Sequence, residues 1–178
     1  MWDPGRGQDL RPNAHTASLV LVASMEMSSN ESVDPGEEQE QACSSRTELD
    51  SHANMPVVGR HCYVLQRTGR SADVSAFSPD FDTLEVQIID AALMYYNPYT
   101  GKENILIVRN ALHVPSMEHN LIPPFILREA GLEVNETPKI HVKDPTIEDH
   151  SIGFPGHDFR IPLSLWGIFS YFPTTAPD

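Results

Sequence analysis

Cysteine, basic residues and long apolar runs are scarce in this chain of 178 residues, and each scarcity excludes a class of protein. The two cysteines, Cys43 and Cys62, cannot form the Cys-x-x-Cys pairs of a zinc knuckle or zinc ribbon. Lysine and arginine number 12 against 25 acidic residues, and the net charge of −13 argues against direct binding of nucleic acid or of an anionic membrane. No run reaches the roughly 18 apolar residues of a membrane-spanning helix.

The same scarcities bear on the cellular compartment. The apolar patch Ser18–Ala23 is shorter than the core of a secretory signal peptide, and the residues before it carry mixed charge. We therefore expect no signal peptide and an intracellular, cytoplasmic protein. Counting cysteines does not exclude a single disulfide, but a reducing compartment is the simpler interpretation.

Histidine is the one frequent metal-ligand type, with eight copies. Zinc sites need histidine and cysteine at characteristic short spacings. The histidine spacings match none of these templates, so we expect no metal site. The histidines are His15, His52, His61, His113, His119, His141, His150 and His157.

The composition and the hydrophobic pattern of the chain change along its length. Residues 1–44 are acidic and show little hydrophobic periodicity, which is typical of a disordered segment. From residue 45 onward, runs of branched and aromatic residues between turn residues predict β-strands. The clearest prediction is a long β-hairpin over residues 84–109, whose strands are joined by the turn Asn97–Lys102. The other predicted strands are Thr47–Leu49, Val57–Gly59, His61–Leu65, Ala72–Phe77 and Ala111–Pro115.

A short helix and a proline-rich tail follow these strands. Proline near the start and glycine after the end predict a helix over Phe125–Ala130, and Leu132–Asn135 alternates as a last strand. Residues 138–178 are punctuated by proline and predict a linker. Its segment 161–172 is too apolar to stay in water, so we expect it to dock on the domain or on a neighbouring chain. The predicted domain therefore spans residues 45–137.

One polar turn carries a carboxylate suited to catalysis. Asp50 follows the first predicted strand, in the sequence Leu49-Asp50-Ser51-His52-Ala53. Aspartate and serine bond their own backbone in turns, so an ordinary turn at a strand end is one interpretation. The sequence also resembles the active-site turn of retroviral-type aspartic proteases, which reads Leu-Asp-Thr/Ser-Gly-Ala.

The order of the later motifs extends this resemblance over about residues 45–175. In retropepsins, the aspartate turn is followed by a flap hairpin, two apolar residues with a glycine, a short helix and a strand. Here Leu121-Ile122 stand at the two apolar positions, ahead of the predicted helix. Asn110–Pro115 followed by His119–Ile122 is similar to the protease region of copia-type retrotransposon polyproteins, which reads roughly Asn-x-Leu-x-Val-Pro, a spacer and Asn-Leu-Leu. The tail Ile161–Pro173 looks like linker sequence of such polyproteins.

The resemblance implies a fold, a function and a set of site residues. The implied fold is mainly β: a single-lobe retropepsin-like closed β-barrel with one short C-terminal helix and disordered tails. The implied function is that of an aspartic endopeptidase fragment of a Gag-Pol-type polyprotein, acting on extended peptides without metal or organic cofactor. One catalytic turn per chain implies a homodimer in which two Asp50 residues share a proton. Ser51 would brace the pair, Leu121 and Ile122 would support the turn, and the flap would be Asn97, Pro98, Tyr99, Thr100 and Gly101.

Two positions depart from the family pattern, although Ala53 matches it. His52 and Pro123 stand where retropepsins have glycine, so a side chain is added beside the carboxylates and a backbone donor is removed. These departures favour an alternative function, a catalytically inactive retropepsin-like remnant that acts as a dimeric peptide-binding or interaction module. A third interpretation is an unrelated β-domain with a chance turn. It predicts neither the long hairpin nor an approach of Asp50 to Leu121-Ile122.

Overall fold

The chain folds mainly into β-strands, with a single α-helix in the part that the computed structural model describes, residues 18–25, 45–75 and 83–178. None of the described helices is long and apolar enough to cross a membrane. The elements are β1 (Ser18–Met25), β2 (Arg46–Leu49), β3 (Val57–Val58), β4 (Tyr63–Val74), β5 (Leu84–Asn97), β6 (Lys102–His113), β7 (Asn120–Ile122), α1 (Pro124–Glu129), β8 (Glu133–Asn135), a 3-10 turn (Lys139–His141), β9 (Ser151–Gly153), β10 (Arg160–Pro162), β11 (Ser164–Trp166) and β12 (Phe169–Pro173).

Nine strands form one large sheet in the order β11-β12-β2-β7-β3-β6-β5-β4, with β1 also paired to β6. The other three strands form a small sheet in the order β10-β9-β8. Within the described residues the large sheet stays open, so the closed barrel predicted from the sequence is not found. The reason lies in β4, one of the two end strands, because most of its side chains are exposed. It offers no continuous apolar face for a closing strand to bury.

The long hairpin predicted from the sequence is confirmed as β5 and β6. The two strands pair antiparallel from Ile88 with Leu112 to Asn97 with Lys102. Side chains of β5 and β6 that face inward, among them Leu93 and Leu106, are fully buried. The helix is also confirmed, beginning one residue earlier than predicted, at Pro124.

The C-terminal region is part of the folded core, contrary to the linker predicted over residues 138–178. Strand β12 pairs antiparallel with β2, and this register places Phe172 opposite Thr47. The Phe172 side chain is fully buried and meets the Tyr95 ring edge-on, with ring centroids 6.0 Å apart. Ile161, Leu163 and Phe172 therefore pack in the interior, although the prolines around them suggested a tail without regular structure. The apolar residues between them, at positions 165, 166, 168 and 169, remain exposed.

The N-terminal prediction needs a partial correction. Residues 18–25, predicted as disordered with the rest of 1–44, form β1 along β6, from Ser18 with Arg109 to Met25 with Glu103. A short run of branched apolar residues is well suited to a strand once a partner edge is present. The remaining residues of the N-terminal segment, 1–17 and 26–44, lie outside the described part of the chain.

Because Phe172 on β12 is fully buried, we expect Phe172→Ala to destabilise the fold strongly. Truncating a buried phenylalanine leaves a cavity, so we expect a loss of about 3–5 kcal/mol in the free energy of unfolding, measured by urea denaturation. Phe125→Ala is the matched control, because the Phe125 side chain on α1 is 48% exposed and its loss should cost less than about 1 kcal/mol. Equal effects of the two substitutions would contradict the assignment of β12 to the core.

Candidate active site

The aspartate turn is built around strand β7, which lies between β2 and β3. Strand β7 runs parallel to β2 and antiparallel to β3, so the chain leaves β2, crosses the end of β7 and returns on its other side. Leu49 pairs with Ile122 in this arrangement. The backbone N–H of Asp50 then donates to the carbonyl oxygen of Ile122 at 3.2 Å. Both features that the chance-turn interpretation excludes, the long hairpin and this contact, are therefore present.

The carboxylate of Asp50 stands at the tip of this turn with 27% of its side chain exposed. Its Oδ1 accepts a hydrogen bond from the backbone N–H of His52 at 2.8 Å. The His52 side chain is 90% exposed, and its Nδ1 lies 3.7 Å from the same oxygen. The imidazole thus extends into solvent beside the carboxylate and does not displace the backbone donor. Ser51 is exposed as well, and Ala53 is half-buried.

Apolar side chains support the turn from below. Leu49, Val58 and Ile122 are each at most 5% exposed and belong to the main core cluster. Leu121, the other residue predicted for this support, is half-buried. The three strands that carry the turn are therefore fixed to the core immediately beneath it.

A buried polar network also connects these strands, and sequence reasoning missed it. The Oδ1 of Asn120 accepts from the backbone N–H of Gly59 at 2.9 Å. Its Nδ2 donates to the hydroxyl oxygens of Thr47 at 3.2 Å and Thr174 at 3.3 Å. These two hydroxyls are themselves hydrogen-bonded at 2.9 Å. One amide thus connects β2, β7, the residue after β3 and the end of the chain. The available signal was a polar residue inside an apolar strand motif.

Gly59 is required at its position for steric reasons. A Cβ there would lie 2.4 Å from the carbonyl oxygen of Met117, which is backbone and cannot rotate away. The absence of a side chain lets the loop before β7 approach the end of β3. This close approach in turn brings the Gly59 N–H within reach of Asn120.

The turn predicted as the flap, Asn97–Gly101, lies towards the beginning of β2. Asn97 organises it, since its Oδ1 accepts from the backbone N–H groups of Tyr99 and Thr100. Arg46, the first residue of β2, pairs with Pro173, and Thr175 two residues later pairs with Met94. The turn follows Met94 by three residues, whereas Asp50 follows the other end of β2. The structure therefore does not bring this turn and Asp50 together.

A different hairpin, β4–β5, approaches the segment after Asp50. Val86 and Ile88 of β5 and Leu112 of β6 form a second apolar cluster, against which Met55 and Val57 pack. Of the residues that connect β4 to β5, 76–82 lie outside the described part of the chain. An open groove of about 330 Å³ lies nearby, between residues 84–87 of β5 and 113–116 after β6. Sequence reasoning missed this hairpin because it predicted a strand over Ala72–Phe77 and a hairpin over residues 84–109 as separate elements.

A hydrogen-bonded serine and histidine lie elsewhere in the fold. His150 Nε2 and Ser170 Oγ are 2.9 Å apart. Both residues are buried, at 5% and 8% exposure, so a substrate cannot reach the hydroxyl. Burial, with a smaller contribution from Lys139, lowers the pKa of His150, which favours the neutral ring. The pair joins β12 to the loop before β9 and is structural.

The described residues offer neither a metal site nor an activated thiol. No group of three histidine, cysteine, aspartate or glutamate residues within 18–25, 45–75 and 83–178 could hold a metal ion. The thiol of Cys62 donates to the carbonyl oxygen of Gly59 at 3.3 Å. Burial raises the pKa of this thiol, which disfavours the nucleophilic thiolate. Asp50 stands apart from these groups as a carboxylate at the tip of a turn supported by β7.

Comparisons with known proteins gave no match: no family model, curated protein or solved structure corresponds to this chain.

The Asn120 network predicts that Asn120→Ala destabilises the strands of the turn. The substitution leaves the Gly59 N–H buried without an acceptor, so we expect the free energy of unfolding to fall by about 2–3 kcal/mol. Asn135→Ala is the control, because Asn135 is only half-buried and its Nδ2 donates to the carbonyl oxygen of Glu148 and to the carboxylate of Asp149 near the surface. Hydrogen exchange should localise the effect at Gly59. Unchanged protection of that amide in the variant would contradict the assigned role.

The buried His150 predicts a loss of stability at mildly acidic pH. Its pKa in the folded chain is below the ordinary value of about 6.5, so the unfolded chain binds the proton first and stability falls as pH drops below that value. Urea midpoints between pH 8 and 5 should show this fall. His150→Asn should reduce it, because asparagine tolerates the φ of 51° at this position and does not titrate. Equal slopes in both proteins would contradict the prediction.

Proposed function

We propose that this chain is an aspartic endopeptidase of the retropepsin-like class, from the protease region of a copia-type retrotransposon polyprotein, acting as a homodimer. The observation that carries the proposal is the contact between the Asp50 turn and strand β7, which contains the predicted apolar pair. The pairing of Leu49 with Ile122 and the hydrogen bond from Asp50 to Ile122 join two motifs that are far apart in the sequence, the aspartate turn and the apolar pair. A chance turn at a strand end has no reason to meet this pair.

The reaction needs two carboxylates that share one proton. Each chain supplies one, Asp50, so the proposed dimer places two of them near its two-fold axis. Like charges a few Å apart resist joint ionisation, and one carboxyl stays protonated. The ionised carboxylate takes a proton from water while the water oxygen bonds to the peptide carbonyl carbon. The protonated carboxyl stabilises the developing oxyanion and donates its proton to the leaving amine as the C–N bond breaks.

The two departures from the family pattern are compatible with this chemistry in the single chain. The His52 ring extends into solvent, and the backbone N–H of His52 still donates to Asp50. Pro123 starts helix α1 with its carbonyl oxygen, which accepts from the N–H of Ile126 at 3.1 Å. The donor that proline lacks is thus at a helix start, where no intrahelical acceptor exists.

The substrate-covering element in this proposal is the β4–β5 hairpin, in place of the turn Asn97–Gly101. Its apolar cluster packs against Met55 and Val57, immediately after the catalytic turn. An extended peptide lying between this hairpin and Asp50 would add backbone hydrogen bonds as a further strand.

The direct test is pepstatin-sensitive cleavage of a denatured protein mixture by the full chain between about pH 5 and 7, the range suited to a shared proton. Asp50→Asn should reduce the cleavage rate about 10²–10⁴-fold, because the substitution removes the base and the shared proton. Asp158→Asn, at an exposed position on another loop, is the charge-matched control and should retain activity. Circular dichroism at each pH separates lost activity from the acid destabilisation expected of His150.

Two outcomes would contradict the proposal. Cleavage that survives in Asp50→Asn would come from another group or from a contaminant. No cleavage by a chain shown to be dimeric and folded would leave the alternative function, a non-catalytic peptide-binding or interaction module with the same architecture.

A further inference from the structure

Strand β4 contains an irregular stretch that brings two arginines to neighbouring positions. Arg67 lies opposite Ile89 of β5, and Arg70 lies opposite Ile88, the adjacent residue. Three residues of β4 therefore advance the pairing by only one residue of β5, which is the geometry of a β-bulge. In a regular strand, residues three positions apart are separated by about 10 Å along the strand. The bulge thus concentrates two cationic side chains at one end strand of the large sheet.

The two residues inside the bulge fix its shape. The hydroxyl of Thr68 donates to the carbonyl oxygen of Ile88 at 2.6 Å and accepts from the backbone N–H of Arg70 at 3.2 Å. Gly69 has a φ of 74°, in the left-handed region that favours glycine. The sequence Thr68-Gly69 therefore specifies the bulge, and the positions of the arginines on either side of it are set before any ligand binds.

A pocket of about 440 Å³ lies between the bulge and β5. We call it the arginine pocket, because Arg67 and Arg70 line it together with Glu85 and Gln87 of β5. The Nη1 of Arg67 donates to the Oε1 of Gln87 at 2.6 Å, and the Nη2 of Arg70 donates to the Oδ1 of Asn110. Both acceptors are neutral amides. They orient the guanidinium groups without neutralising the charge, and a guanidinium has further N–H donors for a ligand.

Arg67 and Arg70 differ in this respect from the other arginines of the described chain. Each of those lies within 4.0 Å of a carboxylate oxygen: Arg46, Arg60, Arg109, Arg128 and Arg160. The charge of Arg67 also affects a neighbour, since burial, with a smaller contribution from Arg67, lowers the pKa of His113. Two arginines without carboxylate partners, in a chain of net charge −13, favour an anionic ligand in this pocket.

Glu85 determines which kind of anion fits. Its carboxylate accepts from the hydroxyl of Ser71 at 2.6 Å and forms no ion pair with either arginine of the pocket. Two arginines and one glutamate leave a single positive charge, which matches one carboxylate. A phosphate group carries a charge of about −1.5 to −2 at pH 7, so Glu85 repels it more strongly. The pocket is therefore suited to a carboxylate rather than to a phosphate.

The location of the pocket on an end strand favours a peptide as the carrier of this carboxylate. Among the described strands, β4 pairs only with β5, so its other edge presents backbone N–H and C=O groups. Beyond the bulge, residues 70–74 pair regularly with 84–88, and an extended peptide can add to this regular stretch. Asp73 and Glu85 lie opposite each other there. The peptide should therefore carry its acid at the bulge and uncharged residues beside Asp73.

We propose that the arginine pocket binds the side-chain carboxylate of an acidic residue in an extended peptide that pairs with the edge of β4. Arg67 and Arg70 hold the carboxylate by charge-assisted hydrogen bonds. The site does not use Asp50, so the inference goes beyond the proposed function and does not depend on peptide cleavage.

The test is an NMR titration of the full chain with the acetylated and amidated peptide Val-Thr-Glu-Thr-Val, in an Asp50→Asn background that prevents cleavage of the peptide. Salt of about 0.1 M screens the remote acidic residues. Amide shifts should move at residues 70–74, and Arg67→Gln and Arg70→Gln should each weaken binding at least about 10-fold. Arg60→Gln is the matched control, because Arg60 is 50% exposed and paired with Glu118, and it should bind normally. Circular dichroism confirms that the variants remain folded.

Three further ligands separate the possible sources of the anion. The same peptide with glutamine in place of glutamate should bind at least about 10-fold more weakly, and equal binding would overturn the site, as would unchanged affinity in both arginine variants. A phosphoserine peptide should also bind more weakly, and Glu85→Gln should reduce that difference. Tighter binding of phosphoserine to the unsubstituted pocket would overturn the selection of a carboxylate. Acetate that displaces the peptide at equal concentration would overturn the choice of a peptide.

Discussion

The buried amide of Asn120 is the interaction on which the arrangement of the turn depends. A primary amide offers an acceptor and two donors, and in this chain both ends are used inside the core. The acceptor fixes Gly59, beyond β3, and the donors fix the hydroxyls of Thr47 on β2 and of Thr174 after β12. Backbone pairing alone would allow β2, β7 and β3 to slide, whereas an amide with all three directions satisfied specifies one register. The position of Asp50 follows from that register.

The C-terminal strand β12 serves both the interior and the surface. Its alternate residues Ser170 and Phe172 are buried, and Ser170 bonds to His150. The residues between and beside them face outward with Trp166, where Arg46 orders the rings. A stretch with proline at its end and no charge is difficult to assign to either role from composition. In the fold the strand has both roles, because one of its faces packs on the core and the other faces solvent.

Local signals were sufficient for part of the fold and of the site. The long hairpin has strong turn residues, and the helix has proline at its start, so the sequence predicted both. The aspartate turn and the apolar pair under it were also found by their order along the chain. The sequence predicted that segment 161–172 docks on the domain or on a neighbouring chain. It did not predict the pairing of β12 with β2, because Phe172 pairs with Thr47, more than a hundred residues earlier. The connection of Asn120 to Gly59 and the approach of the β4–β5 hairpin to Met55 are likewise long-range contacts with no local pattern.

The bond between the hydroxyls of Thr47 and Thr174 spans 127 residues of sequence. During synthesis, strand β2 therefore emerges from the ribosome long before the strand that covers its edge. Closing so long a loop is slow compared with forming the local hairpins, so β2 is the last part of the sheet to be completed. A ribosome-bound chain that has not yet reached residue 174 has an aspartate turn on an unfinished support. Assembly of the site therefore waits for translation of β12 and Thr174.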